Sequence, residues 1–275
     1  MMKRIALPFL FALTFTLPTL AHAQRRNPLA DAPAIRKRVE LRETRLEVGA
    51  GFGSTINQTF YHGLMANVHL GFHFTDWLSV AGFGAFNVAG ISTGFRNELS
   101  SSLPASDGDR DEARDFRAPL RGTANSSINK MSMILGGQVQ ATPFTGKFAT
   151  FGALFANYDF YIFGGGAAVN LAAANSNPAP TCTDTAAGQV GGMSGGCVVS
   201  GMKFGGTFGA GFHSFFNNFL ALNVELRDVL IKDNPAGRDV NGDGSSSNAD
   251  MTWTSHLMAT IGLSFYLPST AGISP

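Results

Sequence analysis

The chain has 275 residues, of which 44% are hydrophobic and 14% charged, with 33 glycines, 24 phenylalanines and a formal net charge of +1. So little charge, without a basic run in the body of the chain, excludes a nucleic-acid-binding protein and a disordered, solvated one. No stretch beyond residue 23 holds eighteen consecutive apolar residues, so no spanning helix is expected.

Lys3 and Arg4 precede an apolar run from Ile5 to Leu20, and Ala21-His22-Ala23 is a small-x-small cleavage site. That is the layout of a secretory signal peptide, assigned to residues 1–23. Removing it leaves 18 basic and 19 acidic residues. Residues 24–42 carry Arg25, Arg26, Arg36, Lys37, Arg38 and Arg42 and read as a basic periplasmic segment touching anionic lipid or staying unfolded.

From residue 43 onward the dominant pattern is period two, the signature of two-faced strands. Leu46, Val48, Ala50 and Phe52 alternate with Arg45, Glu47, Gly49 and Gly51. Leu64 to Phe74 alternate with Met65, Asn67, His69, Gly71 and His73. After a less regular strand over about 77–90, Met131, Met133, Leu135, Gly137 and Val139 alternate with Ser132, Ile134, Gly136, Gln138 and Gln140. A second irregular strand, about 157–170, contains Asp159. Phe204 to Phe212 then oppose Lys203, Thr207 and His213, Leu220 to Leu226 oppose Asn223, Glu225 and Arg227, and Leu257 to Leu267 oppose His256, Ser264 and Tyr266.

The ionisable and amide residues thus share one parity, while the other is aliphatic, Phe or Gly. A soluble barrel reverses that arrangement. A continuous apolar face suits lipid, and strands in lipid must close, because an open edge leaves backbone groups unsatisfied. The expected fold is all-β, a closed antiparallel up-and-down transmembrane barrel of about eight strands over residues 43–268, with 269–275 a C-terminal tail. Link lengths agree. Thr75-Asp76 and Ser214 to Asn218 are tight, Pro143 to Ala156 is a medium link, and 91–128, 171–198 and 232–250 are long and polar, as for periplasmic turns and external loops. The link 54–61 is shorter than that rule suggests. In 148–155, Phe148, Phe151 and Phe155 fit either a short helical face or continued strand. Tyr61, Trp77, Tyr158, Trp253 and Tyr266 are candidates for interfacial girdles.

These features resemble the small outer-membrane β-barrel domains of Gram-negative bacteria, of the outer membrane protein A and X type of architecture. The residues carrying the likeness are R-L-E-V-G-A-G-F-G from Arg45, G-F-H-F-T-D-W-L from Gly71, F-L-A-L-N-V-E-L-R-D from Phe219, and the last strand ending F-Y-L at Leu267. Such barrels often finish on an aromatic residue that the assembly machinery reads, whereas here Pro268 to Pro275 follow. The resemblance implies location in the outer membrane, with outer-membrane lipids, lipopolysaccharide and the barrel assembly machinery as partners. It implies no enzyme activity, and the oligomeric state is open.

Several constellations are candidates for chemistry. Arg45, Glu47, Asp159, Lys203, Glu225 and Arg227, with His69, His73 and His213, form a polar set expected in the lumen. An eight-stranded barrel is just wide enough for side chains to fill it, so a paired structural plug is expected, the alternative being a narrow small-solute channel. Asp239, Asn241 and Asp243 precede Gly244, and Asp250 is twelfth from Asp239, a spacing like that of the dockerin-type calcium loop; the competing reading is an ordinary polar loop. Cys182 and Cys197, in a loop of an exported chain, are expected to form a disulfide that staples that loop outside the core. Asp107, Asp109, Asp111 and Glu112 are interspersed with Arg110, Arg114, Arg117 and Arg121, a mixed-charge loop able to meet lipopolysaccharide phosphates. For a lipid-modifying enzyme, the remaining alternative, Ser255 and His256 are adjacent and so face opposite sides of one strand. The expected role is an anchor whose barrel carries long external loops for surface interaction or envelope integrity.

Overall fold

A computed structural model describes residues 39–40, 42–106, 120–150, 154–184, 196–270 and 272–273, all within one compact unit, Arg38–Pro275. The proposed signal peptide, most of the basic segment and the Asp107–Arg117 cluster lie outside the described residues.

Eight antiparallel strands close into a barrel in sequence order: β2 (Arg45–Thr55), β3 (Tyr61–His73), β4 (Leu78–Ser92), β5 (Asn129–Thr150), β6 (Leu154–Ala173), β7 (Gly201–Phe215), β8 (Leu220–Asp233) and β9 (Thr252–Leu267). β2 pairs with both β3 and β9, so the sheet has no edge. A two-residue ladder joins β1 (Val39–Glu40) to β10 (Gly272–Ile273). The expected strand count, orientation and closure are what the chain adopts.

Most strands hold the parity their sequence sets. In β2, Arg45 and Glu47 are 2% exposed while Phe52 is 60% exposed. β5 departs from its expected alternation. Its register shifts between Met131 and Met133 and again between Ala141 and Phe144. The second shift surrounds Pro143, which has no N–H for the ladder, and the Thr142 amide instead donates to the Trp77 carbonyl at 2.8 Å. The first shift turns Met131, expected on the outer face, into the interior at 5% exposure.

The expected medium link over Pro143–Ala156 is mostly strand. β5 and β6 continue past Pro143 and remain paired as far as Thr150 and Leu154. Extended backbone therefore replaces the helical alternative at Phe148 and Phe155. The tight turns are as expected: the Phe74 amide bonds the Leu78 carbonyl at 3.1 Å and the Phe216 amide the Leu220 carbonyl at 2.9 Å. On the opposite side the links are long except that between Thr55 and Tyr61, and one begins with α1 (Gly94–Ser102), whose first turn is capped by the Thr93 hydroxyl.

Glycine has two roles in this wall. Inward glycines let neighbouring chains approach: a Cβ at Gly205 would sit 1.8 Å from the Leu230 carbonyl oxygen, and one at Gly209 2.2 Å from that of Leu226. At outward Gly206 the nearest atom would be 4.0 Å away. Replacing Gly205 with Ala should therefore cost about 1–3 kcal/mol or more in urea unfolding from lipid vesicles. Gly206→Ala should stay within about 0.5 kcal/mol of the parent. Equal losses in the two variants would contradict this account.

Candidate functional site: a lumen filled in three layers

The turn-side layer is built on one carboxylate. Glu47, 2% exposed on β2, has Oε1 2.8 Å from His69 Nε2 and 3.3 Å from His213 Nε2, and Oε2 2.8 Å from His73 Nε2. Asp159 on β6 orients His213 from behind, 2.8 Å from Nδ1. A carboxylate only accepts, so the imidazole N–H groups converge on it. Tyr266 and Phe215 close the floor, their rings 5.3 Å apart. Tyr266, a girdle candidate by composition, is fully buried because its parity matches Ser264 and not Phe265.

Arg42, the last residue of the basic N-terminal segment, completes this layer. It is 3% exposed; its Nε lies 3.3 Å from Asp159 Oδ2, its Nη1 donates to Thr142 Oγ1 at 2.8 Å and its Nη2 to the Asp76 carbonyl. Being outside the first strand's alternation, it carried no periodic signal. Arg45 serves the backbone, donating to the carbonyls of Pro268 at 2.9 Å and Tyr266 at 3.0 Å.

The middle layer is a second ion pair. Arg227 Nη2 is 2.7 Å from Glu225 Oε1, and its guanidinium lies between the rings of Phe83 and Phe163, 3.7 and 4.4 Å from their centroids. The Tyr161 hydroxyl lies 3.0 Å from both Asn223 Oδ1 and Glu225 Oε2. Beside this pair is a cavity of about 40 Å³ reached by Asn67, Gln138 and Thr260, enough for a water molecule or so. Lys203, expected with these charges, is half-buried at the loop-side end and belongs to neither cluster.

The loop-side layer is mainly apolar, a departure from the polar lumen set, and has one buried polar group in which Asn129 donates to Asp233 at 2.7 Å beside His256. Met65, Ile134, Val169, Leu171, Ile231 and Met258 form one buried cluster with Cys182, Cys197 and Val199. Cys182 and Cys197 are disulfide-bonded as expected. They are not outside the core: at 5% and 0% exposure they sit in it, because their loop folds back into the mouth. The Cys182 amide donates to Val198 at 3.0 Å, and Gly237 of the next long loop packs so closely that a Cβ there would meet the Cys197 carbonyl.

The 239–250 loop does not gather its acids into a cage. Asp239 accepts the amides of Gly242 at 2.6 Å and Gly244 at 2.9 Å, and Asp250 those of Val240, Asn241 and Ser247. Asn241 and Asp243 bond each other, and the Ser245 hydroxyl and amide hold the exposed Asp243 carboxyl below its ordinary pKa. The spacing read for calcium here folds the loop around its own carboxylates. Among the described residues no group of three or more His, Cys, Asp and Glu side chains is arranged to hold a metal ion.

Two serines lie close to a histidine or an acid among the described residues. Ser264 Oγ is 3.3 Å from His69 Nε2, but the same nitrogen is bound to Glu47, so no free base faces the hydroxyl, and Ser264 is fully buried. Ser255 donates to Asp228 on the outer wall, while His256 faces inward to Gln58 and Asp233. They lie on opposite faces, as adjacent strand residues must.

Fold and lumen together define a closed eight-stranded up-and-down barrel with an apolar exterior and an interior occupied by side chains. No family model matches the sequence, and no curated protein matches it either. Among solved structures the chain is similar to the N-terminal β-barrel domain of Pseudomonas aeruginosa OprF, at 11% identity and a TM-score of 0.42, covering 82% of this chain and 98% of that one. It is also similar to the outer membrane protein OprG from Pseudomonas aeruginosa, at 9% identity and a TM-score of 0.40, covering 84% of this chain and 99% of that one. Likeness at that level carries nothing about what this chain does.

Replacing Glu47 with Gln removes the one group on which three imidazoles converge and should cost about 3–5 kcal/mol in vesicle unfolding. A loss under about 1 kcal/mol would mean the cluster is incidental. Replacing both cysteines with Ser should destabilise by about 3 kcal/mol for a loop of this length. Asp239→Ala should increase proteolysis within 239–250 equally with calcium and with a chelator; protection by calcium alone would favour the ion-binding reading.

Proposed function

We propose that this protein is an integral outer-membrane barrel whose filled lumen anchors structured loops at the outer surface, for surface interaction or envelope integrity. The observation that carries this reading is the outer wall. Phe204 (75% exposed), Ile261 and Val68 are among more than a dozen large apolar side chains that the closed sheet turns outward. In water such a surface would aggregate, whereas in hydrocarbon it is the expected face of a spanning barrel. Trp77 and Trp253 are exposed at opposite ends of the strands, where interfacial aromatics belong.

The start of β2, the end of β9 and the tight turns share one end of the barrel and the long loops the other, an arrangement that fits turns in the periplasm and loops outside. An exported barrel on this route is a client of the barrel assembly machinery, and lipopolysaccharide phosphates are the partners that the arginines of the 91–128 segment suit by charge. The two ion-pair layers and the apolar cap argue for an anchor over a channel, since a conducting path would have to pass all three. In support of a non-catalytic role, the buried serine has no base and the mouth is occupied by loop side chains.

Two measurements test the reading. The full chain, expressed with its leader, is expected to fractionate with outer membranes and to show heat-modifiable gel mobility; recovery in the soluble fraction would overturn the membrane reading. In planar bilayers the folded protein is expected to show no stable unit conductance, and regular openings would overturn the anchor reading while leaving the membrane reading intact.

A further inference from the structure

Arg42 is a cation of the turn-side layer that no barrel strand carries, since β2 begins at Arg45. It is nevertheless 3% exposed and reaches into the lumen. Its Nε lies 3.3 Å from Asp159 Oδ2, and its Nη1 donates to Thr142 Oγ1 at 2.8 Å. Its backbone amide and that of Glu43 both donate to Asp76 Oδ1 on the β3–β4 turn, at 3.1 and 3.2 Å. Just before it, Val39 and Glu40 pair with Ile273 and Gly272 in a ladder of two residues. One guanidinium thus holds the segment leading into the barrel against the turn-side end.

The charges around that guanidinium balance only while two histidines are neutral. His213 has Nδ1 2.8 Å from Asp159 Oδ1 and Nε2 3.3 Å from Glu47 Oε1. An imidazole that faces a carboxylate from both nitrogens does so as the cation. Glu47 and Asp159 are then matched by His213 and Arg42. His69 and His73 each turn one nitrogen to Glu47, at 2.8 Å, which the neutral ring with its proton on Nε2 satisfies. The other titratable groups facing the cluster are Tyr161 on β6, Tyr266 on β9, Arg45 on β2 and Asp76 on the turn. Arg45 donates to the Pro268 and Tyr266 carbonyls, and Asp76 accepts backbone amides. Glu225 on β8 lies beyond Tyr161 and is matched by Arg227. Ser79 on β4, paired with His73, Thr142 on β5 and Asn223 on β8, paired with His213, are uncharged.

Acid upsets this balance. His69, whose side chain is 22% exposed, is the point at which protons enter. One proton each on His69 and His73 leaves two positive charges in excess in a layer nearly closed to water. Buried charge without a partner is costly, so the excess is relieved by whichever cation can leave. The three histidines ride on β3 and β7, which are locked into the closed sheet. Arg42 can swing away with its segment for the loss of a few hydrogen bonds. Its departure leaves Asp159 to His213 and gives up the amide contacts to Asp76.

We propose that the Arg42 segment is an acid-released latch. At neutral pH it is bound in the turn-side end of the lumen, and protonation of His69 and His73 expels it while the barrel stays closed. On the membrane reading above, the freed segment faces the periplasm.

The test follows amide hydrogen exchange of the full chain folded in lipid vesicles, at about pH 7.5 and about pH 5, either side of the imidazole range. Heat-modifiable mobility verifies the inserted barrel first, so failure of the membrane reading is seen separately. After correction for the chemical exchange rate, the amides of Arg42 and Glu43 are expected to lose protection about tenfold at the lower pH, equivalent to about 1.4 kcal/mol. Those of β8 should keep theirs. Arg42→Met should leave the segment unprotected at both pH values. His69→Gln with His73→Gln keeps a donor toward Glu47 but takes up no proton, and should hold the segment protected at both. Should that pair not fold, His69→Gln alone should roughly halve the loss. Protection unchanged at the lower pH in the parent overturns the proposal, as does protection retained in Arg42→Met. The same loss in the folded histidine variants overturns it in favour of titration at Asp76. A loss that spreads through β8 overturns it in favour of acid unfolding of the barrel.

Discussion

Closure of β2 against β9 is the constraint on which everything else in this molecule depends. Once the last strand pairs with the first, every ladder hydrogen bond is internal to the sheet and both faces are free to take opposite characters. The outside can then be almost wholly apolar. Closure with eight strands also fixes a small circumference, and a small circumference leaves an interior that side chains must occupy. Filling the lumen is thus a consequence of the same backbone geometry that permits the apolar wall.

How the interior is filled follows from what each depth offers. At the turn side the bases of several strands bring three histidines and two carboxylates together, and charges so buried persist only because they converge. Glu47 is the hub because it meets His69 and His73 from the neighbouring strand and His213 from across the barrel. At the loop side, methionine, isoleucine and the disulfide make an ordinary hydrophobic core. The molecule therefore combines two solutions to the same packing problem, a polar network below and a greasy stopper above, separated by the Arg227 guanidinium between two rings.

The wall repeats this economy with glycine. Inward glycines such as Gly136, Gly165 and Gly205 are imposed by contact, since neighbouring backbone and rings occupy the space a side chain would take. The outward Gly82, Gly137, Gly166 and Gly206 have no such contact. That contrast between two populations of one residue type is visible only when strand register is known.

Period-two alternation, a property of neighbours in the chain, was enough to specify the strands and the lumen set around Glu47 and Arg227, and link lengths marked the tight turns and the end at which the long loops gather. Local sequence carries this information because each strand's parity is decided by residues one and two positions apart. What alternation did not reach were contacts between distant segments. Arg42 lies outside any strand and is held by Asp76, Thr142 and Asp159. The cysteines enter the core because their loop folds inward, and Met131 turns inward because a register shift inverts parity. In the 239–250 loop, Asp239 and Asp250 bind backbone amides, which their spacing alone did not indicate. Strand parity belongs to the sequence by itself; which side chains meet, and which glycines line up, was decided only by the register and closure of the sheet, because both join residues that the chain order keeps far apart.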